Sequence, residues 1–331
     1  METRTLGKTG LKVSVLGFGC GAVGGLMVRG EPTDQERAVA RALELGINYF
    51  DTAPLYGNGE SEKNLGKVLA ALRPDVLVGT KVRVPQAEFG RIAEAVTASL
   101  EASLWRLGRE QVDLLQLHNN IFHDSKGDAI AAKSVLEEVV PTLQRLQQQG
   151  KIRFYGITAI GDTDALHRVV DSGAIATAQV VYNLLNPSVG AALAPGFPAH
   201  DFGNLLERTR KANVGVICIR VLAAGALSGV ETRHPLGLPV VEPIASGADY
   251  HADVERARRL EALVQEGFAD SLIEAALRFA IAHDAVGTVL VGYSTLAQLE
   301  YAVASVNKGP LPPAALNRLA ELQAAFPSQR Q

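Results

Sequence analysis

Cysteine is nearly absent from this sequence: Cys20 and Cys218 are the two in 331 residues. Both stand in apolar runs, so they read as reduced core thiols. No disulfide framework is possible, and a cytoplasmic home fits. An excess of either charge is also missing. The 32 Lys and Arg face 35 Asp and Glu, a net charge of −3. That balance lacks the basic face needed to capture nucleic acid or an anionic membrane. Long hydrophobic runs are missing too. The longest, Val214 to Val230, is broken by Arg220 and glycines, which makes it a poor membrane span. Met1–Gly10 carries charge and no apolar h-region, so no signal peptide is expected. Secreted, membrane and nucleic-acid-binding classes are set aside.

What is present is an ample supply of core residues, 47% hydrophobic against 20% charged. Apolar runs alternate with amphipathic stretches along the chain. The strand-like runs are Ser14–Phe18, Asn48–Ala53, Val76–Val82, Val112–His118, Ile152–Thr158, Thr177–Tyr182, Val214–Arg220 and Thr288–Val291. Most are continuously apolar, the pattern of parallel strands covered on both faces. Between them, Ile92, Val96, Leu100, Leu104 and Leu107 form one helical stripe closed by Gly108. Val135, Val139, Leu143 and Leu146 form another, ending at Gly150. Thr33–Asp34 with Glu36 is a capping signal for a helix ending at Gly46. Further helices fit 163–172, 203–212, 271–284 and 295–306.

Eight strands with helices between them give an α/β fold of the (β/α)8 TIM barrel type, whose closed sheet leaves no edge. The surplus length divides into an N-terminal hairpin within Met1–Val13 over the barrel floor and an extra C-terminal helix in Leu311–Phe326. The segments 186–201 and 223–253 read as long loops over the mouth. A single domain, 1–331, is the economical organisation.

In a barrel, chemistry gathers at the C-terminal strand ends. Asp51 closes the second strand, Tyr56 follows it, Lys81 closes the third and His118 the fourth. Alone, each has an ordinary structural reading: a turn-forming Asp, a surface Tyr, a satisfied His. Together, two ionisable groups capping neighbouring strands beside Tyr and His suit proton transfer to a carbonyl receiving a hydride. A phenol of pKa ~10 is a poor acid near neutrality. An ammonium at ~4 Å, at an effective dielectric of ~20, is worth ~4 kcal/mol to a phenolate, or ~3 pKa units. Asp51 would keep Lys81 charged and aimed, and His118 would orient the carbonyl oxygen.

These residues lie in Gly17-Phe18-Gly19-Cys20-Gly21, Asn48 through Gly57 (NYFDTAPLYG), Gly79-Thr80-Lys81-Val82 and Asp113 through His118 (DLLQLH). On those segments the chain resembles the aldo-keto reductase superfamily over nearly its whole length. The resemblance implies an NAD(P)(H)-dependent oxidoreductase, acting on an aldehyde, a ketone or a sugar hemiacetal at CH-OH groups. Its catalytic tetrad would be Asp51, Tyr56, Lys81 and His118, with Tyr56 as general acid and base. It further implies cofactor contacts at Gly19 and Cys20, and at Thr158 and Gln179 for the carboxamide. Arg220 stands where an aromatic residue usually stacks on the nicotinamide, and a guanidinium can lie flat on a ring or meet an anionic substrate. Leu222 and Ala224 fall in the pyrophosphate-covering loop. Gly292, Ser294 and Gln298 fall at the adenosine end, where Ser294 is expected to open a helix. Tyr301 and Ala302 replace the family's usual Glu–Asn pair, and 292–302 holds no Lys or Arg for a 2′-phosphate. The resemblance leans to NADP(H) over NAD(H), with no metal.

Competing readings are weaker. Gly19-x-Gly21-x-x-Gly24 matches a dinucleotide fingerprint in form, but Met27–Pro32 intervenes before helical periodicity begins. His118 and His123, with Asp113 or Asp124, have a spacing that fits neither a helix face nor a strand face for zinc. The tetrad itself leaves open a non-catalytic nicotinamide-binding ancillary subunit. For substrate, Gln179–Pro187 and His118-Asn119-Asn120 faintly resemble the sugar-dehydrogenase branch, with Asn119, Asn120 and Arg220 as polyol ligands. The alternative is a reductase of xenobiotic or aromatic carbonyls under an apolar lid made by both long loops. Small-molecule carbonyl or sugar is the expected partner; oligomeric state is not legible in the sequence.

Overall fold

The computed structural model describes residues 1–326. β1 (Thr3–Thr5) and β2 (Lys12–Ser14) pair as an antiparallel hairpin. β3 (Leu16–Gly19), β4 (Tyr49–Asp51), β5 (Leu77–Val82) and β6 (Val112–Leu117) follow. A small side ribbon of β7 (Ile121–Phe122) and β8 (Ile130–Ala131) precedes β9 (Ile152–Ala159). Last come β10 (Thr177–Val181), β11 (Gly215–Ile219) and β12 (Val286–Gly292). β3–β6 and β9–β12 pair in parallel in chain order, and β12 returns to β3 to close the barrel. All eight runs expected from the sequence are its staves.

Two cores follow from the closure. One lies between the strands and the surrounding helices, where each stripe finds its cover: Val96, Leu100 and Leu104 on the helix Ile92–Leu107 are buried there. The other fills the barrel, with Tyr49, Leu114, Ile217 and Leu290 from four strands meeting Leu6 and Val13 of the hairpin. Leu6 is the plug of the floor. A Cβ on Gly215 would come within 2.6 Å of its Cγ, and one on Gly287 within 2.9 Å of its Cδ1. Those two glycines are the room it occupies.

Three local readings are corrected. The helix Pro32–Glu44 starts with Pro32 in its first turn, and its N-cap Glu31 makes no side-chain cap, so the Thr33–Asp34 capping signal is not used. A helix absent from the sequence reading, Glu60–Leu72, lies between β4 and β5. Its interior Gly66 reads as a breaker. In the fold it lets the helix meet its neighbour, since a Cβ there would sit 2.6 Å from the Leu107 carbonyl oxygen. The segment 223–253 runs into a helix, Tyr250–Arg259, capped by Asp249 accepting from the Ala252 amide at 2.8 Å. The C-terminal helix lies where the sequence places it, at Pro313–Ala324 within 311–326.

The 186–201 segment does not line the cavity of the mouth. Asn186 Nδ2 donates to the carbonyls of His200 at 2.9 Å and Ala245 at 2.5 Å, and Phe197 packs on Phe326 with centroids 5.8 Å apart. It braces the second long segment from outside. None of its residues lines the cavity described below.

Because the floor plug and the strand ends are at opposite faces, Leu6→Ala is expected to cost ~2–5 kcal/mol of stability and to leave turnover nearly unchanged. Denaturant unfolding beside steady-state kinetics checks both halves.

Candidate active site

The C-terminal strand ends open on a cavity of about 820 Å³, within the range of small-molecule sites. Among its lining residues is Asp51, the last residue of β4 and 3% exposed. Asp51 Oδ1 accepts from Lys81 Nζ, which reaches across from β5. Oδ2 accepts from the Tyr49 hydroxyl at 3.0 Å and from Gln179 Nε2 of β10 at 2.8 Å. Lys81, 2% exposed, also donates to the Thr52 carbonyl at 2.9 Å. Burial lowers the Lys81 pKa, but the Asp51 carboxylate and Tyr56 outweigh it and hold the ammonium's pKa above its ordinary value. The lysine stays charged.

That charge has one outlet. Lys81 Nζ sits 4.7 Å from the centroid of the Tyr56 ring. Tyr56 is fixed by its backbone: its N–H donates to the Ala53 carbonyl at 3.1 Å, and its carbonyl accepts from the Ser61 amide at 3.2 Å. The unforeseen helix Glu60–Leu72 therefore starts by pinning Tyr56. Ser61 Oγ, donating to the Cys20 carbonyl at 2.8 Å, ties the same turn to β3.

His118 extends β6 by one residue, its amide donating to the Val82 carbonyl at 2.7 Å. Its ring stands perpendicular to Tyr56, with centroids 6.1 Å apart. Nδ1 is buried without a hydrogen-bond partner among the described residues. Burial, with Lys81 and Arg83 adding, pushes the imidazole pKa down to about 3. At neutral pH it is an uncharged imidazole, able to donate or accept but not to act as a cation.

Most of the other expected positions surround the same space. Gly19, Thr158, Gln179, Arg220, Leu222, Ala224, Gly292, Ser294 and Gln298 line the cavity with Asp51, Tyr56 and His118. Thr158 Oγ1 donates to Gln179 Oε1 at 3.2 Å, so these two groups and Asp51 form one chain of hydrogen bonds. Arg220 follows β11 with φ of 56°, a left-handed conformation, and Asn183 Nδ2 donates to its carbonyl at 2.8 Å. Ser294 does not open the helix Leu296–Asn307. Thr295 does, its Oγ1 accepting from the Gln298 amide at 3.2 Å, while Ser294 Oγ donates to the Gly24 carbonyl at 2.6 Å.

Two positions face elsewhere. Cys20 is buried behind the wall, and burial, followed by the Asp51 charge, pushes its thiol pKa up. It shapes the turn rather than the cavity surface. Asn119 is also spent on structure: Oδ1 accepts from the Val84 amide at 2.9 Å, and Nδ2 donates to the carbonyls of Val84 at 2.8 Å and Asp128 at 2.7 Å. Neither it nor Asn120 lines the cavity. Asp113 accepts from Arg153 at 2.6 Å and from the Val78 amide at 2.8 Å, away from His118, which removes it from any zinc set. Gly24 belongs to a close crossing: a Cβ there would lie 2.5 Å from Gly292 C and Tyr293 N. The glycine-rich turn leads into a single helical turn, Leu26–Arg29, and the fold around it is a barrel.

Tyr49 and Arg233 were not singled out in the sequence. Tyr49 was detectable in principle, since it stands two residues before Asp51 on the same strand face. Burial and the Asp51 charge hold its phenol pKa well above the ordinary value, so it remains a neutral donor to the carboxylate. Arg233 carries no local signal. It fastens the 223–253 segment across the mouth, donating to the carbonyls of Ala224 at 2.7 Å and Leu238 at 2.6 Å.

Comparison with known proteins agrees with this geometry. The chain is 33% identical over 313 residues to L-galactose dehydrogenase of Arabidopsis thaliana, covering 93% of this chain and 89% of that protein. It is 28% identical over 337 aligned residues to L-glyceraldehyde 3-phosphate reductase of Escherichia coli K12, covering 93% and 88%. Among solved structures, the holo form of aldo-keto reductase AKR11C1 from Bacillus halodurans superposes with a TM-score of 0.73 at 27% identity, covering 99% of each chain. The family model described as Aldo/keto reductase family matches residues 15–324. The chain belongs to the aldo/keto reductase family, a family of NAD(P)H-dependent oxidoreductases acting on carbonyl compounds.

Proposed function

We propose that this chain carries out reversible oxidoreduction between a carbonyl and its alcohol, with Tyr56 as general acid in reduction and general base in oxidation. The observation that carries the reading is the buried ammonium of Lys81 held 4.7 Å from the Tyr56 ring by the Asp51 carboxylate. When bound, a nicotinamide nucleotide supplies or accepts the hydride. The cavity suits such a group. Its size fits, and much of its wall is backbone at Gly19, Gly21, Gly24, Gly225 and Gly292, which allows close approach. Thr158 and Gln179 would hold the carboxamide, each keeping hydrogen-bonding capacity beyond the bonds described. Leu222 and Ala224 would cover the phosphates, with Gly292, Ser294 and Gln298 at the far end.

The chain's own residues handle the proton. Tyr56 donates it to the carbonyl oxygen as negative charge develops there, and Lys81 stabilises the phenolate left behind. Asp51 keeps Lys81 protonated, while Tyr49 and Gln179 draw part of the carboxylate charge away from it. Neutral His118 can donate one hydrogen bond to the same carbonyl oxygen and orient it.

For substrate, the full-length likeness to L-galactose dehydrogenase supports an aldose or another sugar-like hydroxyaldehyde. A second reading, a reductase of aromatic or other apolar carbonyls, is favoured by the walls beside Tyr56, where Leu55, Ile160 and Ile244 line the cavity and Asn119 is unavailable. For cofactor we infer NADP(H), on the family's lean. The adenosine end, at Gln298, Tyr301 and Ala302, offers a 2′-phosphate no Lys or Arg.

A panel of aldoses, aromatic aldehydes and their alcohols, run in both directions with NADPH and NADH, tests the reading through nicotinamide absorbance. Turnover of sugars above aromatic aldehydes supports the first substrate class, and the reverse order supports the second. Nucleotide binding with no turnover of any carbonyl would sink the enzymatic reading in favour of a binding subunit.

Tyr56→Phe is expected to lower turnover at least ~10²-fold with little change in nucleotide affinity, and near-wild-type turnover would refute the assignment. His118 provides a pH test. Its folded pKa, about 3, lies below the ordinary 6.5, so the unfolded chain takes up a proton that the native state refuses. Stability is therefore lost as pH falls between those values, at ~1.4 kcal/mol per pH unit for one proton. His118→Gln should flatten the unfolding free energy between about pH 6 and pH 4 by roughly that slope. An unchanged slope would place the protonation elsewhere.

A further inference from the structure

Arg220 presents a charge to the cavity that the protein does not neutralise. Its side chain makes one hydrogen bond among the described residues, from Nη1 to the Glu242 carbonyl at 3.3 Å. No carboxylate among the described residues pairs with it. Asp51, the one carboxylate on the cavity wall, is taken by Lys81. Asp253, whose charge also reaches Arg220, is buried and accepts from Arg256 at 2.6 Å and from Ser246 at 2.5 Å. The neighbouring cation Arg233 adds to the imbalance. Burial lowers the pKa of the Arg220 guanidinium, with Tyr56 and Asp253 opposing and Arg233 assisting.

The backbone points the same way. Arg220 is held at φ of 56°, which a residue with a Cβ adopts only when its surroundings impose it. The clamp is Asn183, fully buried, donating to the Arg220 carbonyl. A left-handed backbone that holds a partly buried, unneutralised guanidinium at a ligand cavity costs stability, which a negatively charged ligand would offset.

We propose that Arg220 is a specificity residue that binds an anionic group, a carboxylate or a phosphate, carried by the carbonyl substrate. This rests on the oxidoreductase reading above. The nucleotide diphosphate would offer the same chemistry. The substrate is taken as the carrier because Arg220 and Tyr56 line the same cavity, and the nucleotide arm of the test separates the two sources. An Arg–carboxylate or Arg–phosphate pair can be bidentate, which fixes the reacting carbonyl as well as holding it.

The test pairs 4-carboxybenzaldehyde with 4-methylbenzaldehyde as substrates. It also pairs 4-(hydroxymethyl)benzoate with 4-methylbenzyl alcohol as calorimetric ligands of the full chain loaded with reduced nucleotide. Wild type is expected to favour the anion in kcat/KM and in binding. Arg220→Gln should lower kcat/KM for the carboxylate ~10- to 100-fold more than for the neutral aldehyde, and more than it weakens nucleotide Kd. Arg220→Lys should keep part of the preference. In wild type, raising NaCl from about 20 mM to about 500 mM should erode the preference, a readout that needs no variant to fold.

Equal losses for both aldehydes, a matching loss of nucleotide affinity, or no anion preference in wild type would each overturn the proposal. The last two would assign Arg220 to the nucleotide or to neither ligand. Anion-selective binding without turnover would instead refute only the oxidoreductase reading. Turnover of neutral aldehydes without anion selectivity would refute only the role of Arg220.

Discussion

The ion pair between Asp51 and Lys81 is the interaction on which the mouth of this barrel depends. Taking two charges out of water costs several kcal/mol per ion, and a buried pair is seldom a net source of stability. It persists here because every group around it is matched. Asp51 accepts from Lys81, Tyr49 and Gln179; Lys81 donates to Asp51 and Thr52 and lies over the Tyr56 ring. The pair itself joins the adjacent strands β4 and β5, but Gln179 comes from β10 across the barrel, so the full set of partners assembles only once the sheet has closed. What such an arrangement gains is chemical: a fixed positive charge beside a phenol, in a place water does not screen.

The two ends of the barrel divide the work. The floor is apolar, plugged by Leu6 against Gly215 and Gly287, and contributes stability by burial and close packing. The mouth carries buried ionisable groups, and there the backbone departs from comfortable geometry: Arg220, Ala223 and Ala224 all have positive φ in the turn after β11. Strain of this kind is kept where a functional constraint fixes it. The strap that follows is held by Arg233 and by Arg29, which donates to the Leu236 carbonyl at 2.8 Å. These are side chain to carbonyl bonds from exposed or partly buried positions, easier to open than the packed floor.

The sequence disclosed the strands because a stave covered on both faces must be a continuous apolar run. It disclosed the cluster of Asp51, Tyr56, Lys81 and His118 because polar residues at strand ends break those runs. It hid Glu60–Leu72, whose Gly66 is a local weakness justified only by a second helix 2.6 Å from where its Cβ would be. It also over-read Cys20 and Asn119. Asn119 stands beside His118 and Cys20 beside the cavity-lining Gly19, but adjacent residues on an extended segment point opposite ways, and these two point into structure.

Taken alone, then, the sequence determined the eight staves, the hairpin beneath them and the identity of Asp51, Tyr56, Lys81 and His118, since periodicity and residue type are local properties. Tertiary structure alone decided which side chains share the cavity, that Tyr49 and Gln179 divide the Asp51 carboxylate between them, and that Arg220 faces that space unneutralised. Those relations join residues up to 128 positions apart, as in Gln179 and Asp51. No local pattern records a contact that exists only once the sheet has closed.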